Sequence, residues 1–306
     1  MDETHVSQVR SFNRHVTRRI GALGGDYLGR GRPLAESRLL FEIGAGGADV
    51  RELRERLALD SGYLSRLLRA LEADGLVACV QSADDRRARR AMLTRKGVRE
   101  HGVLDRRSQA FARSLLGSLL PAQRGRLVAA MAEVERCLRA SSVEIDVEDP
   151  CNTDAAACFD AYFRELAARF DRGFDPVQAG AGSVTEYAPP HGVLLLARLD
   201  GQAVGCAALR ASGRGIGEIK RMWVAAHARG LGIAQRMIEA LEQHATGLGF
   251  HRLRLDTHHA LTEARALYVR NGYREIERYN DNPYADHWFE KRVVRRSGAR
   301  REVART

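Results

Sequence analysis

The 306-residue sequence has only three lysines, five cysteines and no long apolar run. No stretch of about 18 apolar residues occurs, so we expect no helix that crosses a bilayer. The cysteines at positions 79, 137, 151, 158 and 206 follow neither disulfide nor metal-ligand spacing. This scatter favours a reducing compartment. The first residues lack the basic-then-apolar pattern of a secretion signal, and we therefore expect a cytoplasmic protein without membrane partners.

Positive charge is concentrated in the first half of the chain. Residues 1–140 contain 26 basic and 17 acidic side chains, whereas residues 141–294 contain 18 basic and 21 acidic ones. The last twelve residues contain five basic side chains and one acidic side chain. Nearly all of the basic residues are arginine, whose planar guanidinium binds phosphate through paired hydrogen bonds. The asymmetry predicts a polyanionic partner for the first half and a different role for the second.

Residues 49–75 show the pattern of two short helices joined by a tight turn. The first helix is predicted over residues 49–57, the turn over 58–60, and the second helix from Ser61 to just before Gly75. Glycine is common where a helix ends in a left-handed residue. This is the helix-turn-helix arrangement. The residues of the second helix predicted to face solvent or a DNA groove are Ser61, Tyr63, Ser65, Arg66 and Arg69.

Two predicted strands, residues 76–81 and 88–94, follow this pair of helices. The hairpin between them is rich in arginine, and the candidates for DNA contact are Arg86, Arg87 and Arg89. A basic hairpin beside a recognition helix is a wing: the helix enters the major groove while the wing contacts the minor groove or its phosphates. Taken alone, the hairpin is equally consistent with a solvated surface loop.

Four linked motifs in this half resemble the MarR family of dimeric transcription regulators. They are Gly62-Tyr-Leu-Ser-Arg-Leu-Leu68, Leu71-Glu-x-x-Gly-Leu76, Asp85-x-Arg87 and Leu93-Thr-x-x-Gly97. The resemblance covers roughly residues 5–140. It implies double-stranded DNA as a partner, with an inverted-repeat operator bound by a homodimer. The family's dimer is built from the first and last helices, which suits the apolar stripe between Phe111 and Leu138; such a stripe could also be ordinary core.

The polar segment 141–150 ends in proline and marks the change in charge balance. We predict a two-domain chain whose first domain is all-α with a β-wing (a winged helix-turn-helix) and whose second is α+β. The predicted limits are residues 1–142 for the DNA-binding and dimerisation domain and 143–295 for the second domain. Residues 296–306 would form a basic tail.

The segment Ile219–Ala234 contains the strongest functional pattern of the second half. A short apolar strand is followed by Arg229-Gly-Leu-Gly-Ile-Ala234, which opens a long helix. Small residues allow close backbone approach, and the free N–H groups and dipole at a helix start attract anions. A Walker loop would need Gly-Lys-Ser/Thr and a dinucleotide loop a third glycine, so both are excluded. The pattern predicts a pyrophosphate site, with a glycine-containing helix start as the alternative.

The spacing Arg-x-x-Gly-x-Ala resembles the acetyl-CoA motif of the GNAT acetyltransferases. Ala264-x-x-Leu-Tyr-x-x-x-Gly-Tyr273 resembles a second motif of the same family, and the likeness extends over roughly residues 145–294. It implies the GNAT acyltransferase fold, acetyl-CoA as cosubstrate and no metal. The residues it implies for acetyl-CoA binding are Met222, Trp223, Val224, Arg229, Gly230, Leu231, Gly232, Ile233, Ala234 and Tyr268.

Acetyl transfer to an amine needs a neutral amine, a stabilised oxyanion and a protonated thiol. An alkylammonium has a pKa near 10.4, so a base must take its proton at neutral pH. Glu218, at the start of the strand facing the thioester, is the candidate base. A backbone N–H at Trp223 or Val224 would polarise the carbonyl. Tyr268 matches the family's general acid. The structural alternatives are a strand-end surface carboxylate for Glu218 and a packed aromatic for Tyr268.

Two positions depart from the GNAT pattern. Ala226 stands where many relatives have proline, and Leu261 where many have an asparagine that contacts the cofactor. The second departure keeps open a regulator that senses acetyl-CoA without turnover. A protein lysine as acceptor also stays open, although we expect a small-molecule amine.

Candidates for the acceptor side are Arg169, Asp281, Asn282, Tyr284 and His287. They come from the helix after residue 153 and from the loop 279–288, which cover the acceptor in the family. His258 and His259 are not predicted to bind metal, because adjacent side chains of an extended segment point in opposite directions.

Overall fold

The computed structural model of the chain describes residues 2–81, 89–179 and 182–294. Its contacts divide the chain into two compact units, Met1–Ala129 and Ala130–Thr306. The division lies within a helix, Pro121–Ser141, whereas the predicted boundary at residues 142/143 lies just after that helix. The exact domain boundary therefore stays a prediction.

The first unit is helical with a small antiparallel sheet of order β1-β3-β2. Its elements are α1 (Glu3–Arg19), α2 (Leu34–Ile43), β1 (Ala48–Asp49), α3 (Val50–Arg56), α4 (Ser61–Ala73), β2 (Val77–Gln81), β3 (Arg89–Leu93), α5 (Arg95–Gly117) and the start of α6 (Pro121–Ser141). The apolar spacing between Val9 and Leu28 predicts one helix over that segment, but α1 ends at Arg19, just before Gly21 with φ of 70°.

Side-chain caps explain why the helix-turn-helix begins where it does. The Asp49 carboxylate accepts the backbone N–H of Arg51 at 2.7 Å, and the Asp60 carboxylate accepts that of Tyr63 at 2.8 Å. Each cap satisfies an N–H that the helix itself cannot pair. Gly75, with φ of 67°, follows α4 as predicted. The local sequence is thus sufficient to define both helices.

The apolar face of α4 lies in the core of the first unit. Leu64, Leu67, Leu68 and Leu71 are all buried there, together with residues of α2 and α5. A buried glutamate from α5, Glu100, accepts two hydrogen bonds from Arg30, at 2.8 and 2.6 Å. These hydrogen bonds hold the pKa of the Glu100 carboxyl below its usual range. The polar face of α4 is left outside this core.

The second unit is built around a seven-stranded sheet of order β4-β5-β6-β7-β8-β10-β9. Its elements are β4 (Glu144–Glu148), α7 (Thr153–Arg169), β5 (Gly192–Leu199), β6 (Gln202–Gly213), β7 (Ile216–Val224), α8 (Ile233–Gly247), β8 (Arg252–Thr257), α9 (Thr262–Arg270), β9 (Arg274–Ile276) and β10 (His287–Arg292). β7 and β8 pair in parallel, and the other neighbours pair antiparallel.

Both faces of this sheet are covered by helices. Leu195 and Ala197 of β5 belong to the core that includes α8 residues, while Leu194 and Leu196 belong to the core that includes α7 residues. Alternate residues of a strand point to opposite faces, so α7 and α8 lie on opposite sides of the sheet. The acyltransferase motifs therefore lie in a layered α+β domain, as predicted.

Three expectations about element limits were wrong. The segment 141–150, interpreted as a polar linker, contains the edge strand β4, which pairs with β5. Hydrophobic residues at 143, 145 and 147 alternate there with acidic residues, which is a strand pattern that overall polarity masks. The apolar spacing between Asp154 and Phe174 predicts a helix over that whole segment, but α7 ends at Arg169. Residues 273–279 have the pattern of a closing strand, but the strand is limited to Arg274–Ile276.

Among the residues that the structure describes, no helix has the length and apolarity needed to cross a membrane.

Candidate active site

The parallel strands β7 and β8 separate partway along their length. Their register pairs Ile216–Glu218 with Arg252–Arg254 and goes no further. Beyond this point β8 continues beside β10 alone, through Thr257. The second half of β7, residues 219–224, therefore has an open edge on the side where β8 has moved away.

The backbone of Val224 faces this open edge. The N–H of Ala225 donates to the Val204 carbonyl of β6 at 2.8 Å. Successive residues of an antiparallel strand direct their backbone groups to alternate sides, so the Val224 N–H points away from β6. The Val224 carbonyl, on that same edge, accepts a hydrogen bond from Arg229 Nε at 3.0 Å. Of the two predicted oxyanion donors, the geometry thus favours Val224 over Trp223.

The glycine loop that follows β7 presents free backbone donors. Gly230 and Gly232 have φ of 80° and 73°, a region that residues with a Cβ rarely adopt. A Cβ built at either position would meet nothing within 4 Å, so the space in front of the loop is open. Within the described residues, no hydrogen bond uses the N–H of Gly230, Leu231 or Gly232. The side chains of Leu231 and Ile233 are buried and anchor the loop.

A cavity of about 460 Å³ opens in front of this loop. Eight of the ten residues predicted for acetyl-CoA binding line it: Met222, Trp223, Val224, Arg229, Gly230, Gly232, Ile233 and Ala234. Residues that the motifs did not indicate also line it, among them Tyr162, Glu165, Gln235 and Arg270. Leu261 contributes an apolar wall. Free N–H groups, open space and a helix N-terminus together fit a pyrophosphate.

Glu165 of α7 connects the loop to the rest of the site, and the sequence did not indicate it. Its carboxylate accepts from Trp223 Nε1 at 2.8 Å and from Arg229 Nη2 at 2.6 Å. Burial opposes ionisation, but these hydrogen bonds outweigh it and hold the pKa of Glu165 below its usual range. The charge of Arg229 is therefore already paired, and the backbone N–H groups are left as the main anion donors of the loop.

Arg169 is in a different place from the one predicted for it. It lines the cofactor cavity rather than the acceptor side. Its guanidinium donates to Glu263 at 2.9 Å and to the Ala260 carbonyl at 2.7 Å. Because Arg169 is one helical turn from Glu165, α7 carries both residues to the same wall. The acceptor assignment of Arg169 is not retained.

A narrower cavity of about 80 Å³ adjoins the first and shares five lining residues with it. The shared residues are Tyr162, Leu166, Met222, Leu261 and Ala264. Of the remaining acceptor candidates, Asn282 and Tyr284 line this cavity. Asp281 is fully exposed and pairs with Arg278, and His287 pairs with Glu275, so these two assignments are not retained either.

Tyr268 also lines the narrower cavity, although its side chain is almost completely buried. Its ring packs against Tyr273 and Phe289, with centroids 6.0 and 6.1 Å away. Burial raises the pKa of the Tyr268 hydroxyl. The group therefore stays protonated at neutral pH, as a proton donor requires.

Glu218 lies beneath this cavity and does not line it. The residue is 2% exposed, and its carboxylate accepts hydrogen bonds from Arg210 Nε at 3.0 Å and from the Tyr279 hydroxyl at 3.0 Å. Lys220 Nζ lies 3.1 Å from Glu218 Oε1 and donates a hydrogen bond to Asp256 Oδ2 at 2.8 Å. Asp256, which the motif analysis did not single out, lines the cavity. Asp256 also accepts hydrogen bonds from Lys220 and Asn282, so what separates the two carboxylates is position: Asp256 lines the cavity and Glu218 does not, and the structure therefore does not support direct contact of Glu218 with an acceptor.

His258 and His259 do not point in opposite directions as expected. The chain leaves β8 at Thr257, and the two rings lie with centroids 4.1 Å apart. Asp286 pairs with His259, and ligand atoms of the three residues come within 4.8 Å of one another. His258 also stacks on Phe170, and burial lowers the pKa of its imidazole. The expectation failed because these residues lie in a turn and not in an extended strand.

The predicted DNA-contacting residues of α4 lie outside its buried leucine stripe, although the Tyr63 ring packs against the core. Ser61, Arg66 and Arg69 are exposed, and Tyr63 and Ser65 are half-buried. The guanidinium of Arg66 lies over the Tyr63 ring, 5.6 Å from its centroid.

The wing is described only in part. β2 and β3 pair antiparallel from Val77↔Leu93 to Gln81↔Arg89, and Arg89 is exposed. Arg86 and Arg87 lie outside the described residues. The antiparallel pair and its position after α4 agree with the predicted winged helix-turn-helix.

Two regions of the chain match known protein families. Residues 159–273 match the acetyltransferase (GNAT) family, and residues 30–88 match the MarR family. The first match contains the glycine loop and Tyr268, and the second contains the helix-turn-helix.

Two curated acetyltransferases resemble part of this chain. An uncharacterized N-acetyltransferase of Schizosaccharomyces pombe is 36% identical over 105 residues, which are 34% of this chain and 64% of that protein. An IAA acetyltransferase of Azospirillum brasilense is 39% identical over 80 residues, 26% of this chain and 52% of that protein. The chain thus spans less than two thirds of the length of each relative.

Two solved acetyltransferase structures resemble about half of this chain. A GNAT-family acetyltransferase of Staphylococcus aureus covers 50% of this chain and 99% of its own, with 16% identity and a TM-score of 0.44. A GNAT-family acetyltransferase of Elizabethkingia anophelis with acetyl-CoA bound covers 50% of this chain and 99% of its own, with 16% identity and a TM-score of 0.37. The chain carries a MarR-family region followed by a GNAT-family acetyltransferase domain, and both resemblances predicted from its motifs are confirmed.

Proposed function

We propose that the second unit is an acetyl-CoA-dependent N-acetyltransferase that acts on the amine of a small molecule. One observation carries the proposal: the glycine loop and the open edge of β7 border the same cavity. A pyrophosphate on the loop would direct the rest of the ligand toward this edge. A second, narrower cavity adjoins it there and would admit the amine.

The cavity compensates for the departure at Leu261. Leucine offers no hydrogen bond where many relatives have asparagine. Arg270 lines the same cavity, however, and provides a positive charge for the ligand's polar groups. Ala226 begins a short helical turn, Ala226–Ala228, so the loop is ordered without proline. These features support binding of acetyl-CoA by this chain's own residues.

The chemistry assigns one role to each residue. The amine nitrogen bonds to the thioester carbonyl carbon and the carbon–sulfur bond breaks. The Val224 N–H stabilises negative charge on the carbonyl oxygen. Tyr268 gives its proton to the departing sulfur, and the proton lost by the amine passes to Asp256, directly or through water. Glu218 then has a positioning role, because it holds Lys220 against Asp256.

The size of the acceptor cavity favours a small molecule over a protein lysine. Aromatic side chains from several segments line it, including Tyr162, Phe170, Phe174 and Tyr284. A lysine on a protein surface would have to pass these side chains with its backbone attached. A free amine needs no such opening.

We expect Asp256→Asn to lower kcat by about 10²-fold or more, because the amide cannot accept the proton of the amine. Acetyl-CoA affinity should be unchanged. Calorimetric titration with acetyl-CoA and thiol release with a broad amine panel measure the two effects. Asp281→Asn, at a fully exposed carboxylate, is the matched control.

Normal turnover by Asp256→Asn together with loss in Glu218→Gln would restore Glu218 as the base. Saturable acetyl-CoA binding without turnover of any amine would instead identify the unit as a sensor. Absence of acetyl-CoA binding would exclude the proposed function.

We also propose that the first unit binds an inverted-repeat DNA site as a homodimer. The exposed arginines of α4 support the DNA contact. Exposed apolar residues on the outer helices of this unit support a dimer, namely Val9, Phe12 and Val16 on α1 and Val128 on α6. Apolar side chains in such a series are stable in water mainly when a partner covers them.

Arg66→Ala and Arg69→Ala should each weaken operator binding. Loss of a phosphate contact would lower the slope of log K against log salt by about one, whereas loss of a base contact would reduce sequence preference. Fluorescence anisotropy at several salt concentrations measures the salt slope and the sequence preference. Sedimentation of the complex measures how many copies of the protein bind the DNA. Arg274→Ala on the exposed strand β9 is the control. Unchanged binding in both α4 variants, or a monomer on DNA, would contradict the proposal.

A further inference from the structure

Arg221 of β7 is a buried cation without an ion pair. Only 9% of the residue is exposed, and no carboxylate of the described residues lies within ion-pair distance of it. Its Nε is fully buried and has no hydrogen-bond partner in the described part of the chain. An arginine in a protein keeps its charge, and burying that charge without an anion is unfavourable.

Three aromatic rings surround the guanidinium. Its central carbon lies 4.4 Å from the centroid of Phe163, 5.6 Å from that of Phe159 and 5.9 Å from that of Tyr187. Cation–π attraction offsets part of the desolvation. The rings contact the guanidinium, but they do not accept hydrogen bonds from its N–H groups in the strong geometry that a carboxylate provides.

A β-bulge directs this side chain to the face of the sheet on which α7 packs. β6 pairs Cys206 with Trp223 and Ala208 with Lys220, so Arg221 and Met222 together lie opposite Ala207. Arg221 has φ of 58°, a region unfavourable for a residue with a Cβ. Bulges often reorient a side chain beside an active site. In a regular strand the side chain of residue 221 would point to the opposite face of the sheet. The strained backbone of the bulge therefore places the charge of Arg221 on the face covered by α7.

Nearby carboxylates are occupied by other cations. Glu218 pairs with Arg210 at 2.9 Å, and Asp256 pairs with Lys220 at 2.8 Å. Arg221 itself lines the acceptor cavity beside Met222, where the two cavities meet. Asp256 lines the same cavity. Lys220 lines this cavity too and is neutralised by Asp256, whereas the guanidinium of Arg221 has no internal anion among the described residues.

We infer that Arg221 binds a carboxylate of the acceptor, which is then a small amine whose carboxylate lies a few bonds from its nitrogen, as in an amino acid. The planar guanidinium matches a carboxylate through two parallel hydrogen bonds. Asp256 would face the amine end of the same molecule. Arg221 is next to Met222, and Met222 borders both cavities. An acceptor whose carboxylate is bound by Arg221 would therefore have its amine close to the cavity that would hold the thioester. This inference rests on the proposed acetyltransferase function.

The test compares α-amino acids with their carboxamides as acceptors. Each acid and its amide share the amine and the side chain and differ in the charge that Arg221 would bind. We expect acids of suitable size to exceed their amides in kcat/KM by about a hundredfold. Arg221→Met should abolish this preference by lowering kcat/KM for the acid far more than for the amide. Arg221→Lys should retain part of it, because the charge stays and the paired hydrogen bonds do not.

Arg164→Met, an exposed arginine of α7, is the matched control and should keep the full preference. Thermal unfolding in the presence of coenzyme A provides a readout independent of turnover. Acids should stabilise the wild type and the Arg164 variant, and should not stabilise Arg221→Met. Equal unfolding temperatures of the variants without ligand would show that Arg221→Met folds.

Efficient acetylation of neutral amines or amides, with no advantage for acids, would overturn the inference and leave the proposed function standing. A preference for acids that persists in Arg221→Met would also overturn it. Arg221-dependent stabilisation by acids without any acetyl transfer would support the carboxylate site and contradict the proposed catalysis. If no acid is acetylated and no acid stabilises the protein, the inference is refuted.

Discussion

Tyr268→Phe is expected to lower kcat for acetyl transfer by about 10²- to 10⁴-fold, the range over which a general acid contributes. The substitution removes only the hydroxyl that would protonate the sulfur. The ring stays packed against Tyr273 and Phe289, so the fold and acetyl-CoA affinity should be unchanged. Steady-state kinetics with a thiol reagent and calorimetric titration measure the two quantities.

A second tyrosine in the same core provides the control. The hydroxyl of Tyr273 is buried and has no hydrogen-bond partner within the described ranges. Tyr273→Phe should therefore keep full activity without loss of stability, since a buried hydroxyl without a partner contributes nothing favourable. If both variants retain full activity, Tyr268 is a packed aromatic and sulfur leaves with a proton from another source.

Gly232→Val is expected to weaken acetyl-CoA binding on the order of a hundredfold. Gly232 has φ of 73° and caps the start of α8. A left-handed conformation costs a residue with a Cβ about 1–2 kcal/mol, and a β-branched side chain is less tolerant still. The added side chain would also project into the open space that the pyrophosphate is proposed to fill. Gly232→Ala should show a smaller loss in the same direction.

The control for this experiment is Gly247→Ala at the other end of α8. Gly247 has no positive φ, and a Cβ there would meet nothing within 4 Å. Alanine is favoured over glycine in a helix, so this variant should bind acetyl-CoA normally and be no less stable. Calorimetric titration with acetyl-CoA and circular dichroism compare the variants. Unchanged affinity in a folded Gly232→Val protein would show that the loop does not hold the ligand.

Features that depend on neighbouring residues along the chain could be predicted from the sequence. The helix-turn-helix follows from the caps Asp49 and Asp60 and from the leucine stripe of α4, all within 25 residues. The pyrophosphate loop follows from two glycines and a helix start. Such elements form by local hydrogen bonds and backbone conformation, which short motifs encode.

Side-chain pairs across the sheet could not be predicted in this way. Sequence reasoning selected Glu218 because it precedes the loop on β7, but its burial depends on Arg210 of β6 and on Tyr279. Arg169 was assigned by its place on a helix, and its partner Glu263 is 94 residues away. A pairing of this kind depends on strand register and helix placement, which no single motif contains.

The sequence by itself determined the helix-turn-helix, the MarR and GNAT motifs, and the loop that would hold a pyrophosphate. Tertiary structure alone decided which carboxylate lines the acceptor cavity, Asp256 in place of Glu218. It also decided that Arg221 is buried without an anion, through a bulge in which two residues of β7 lie opposite Ala207 of β6. Local patterns specify backbone conformation, whereas burial and pairing of charge arise only when distant segments pack together.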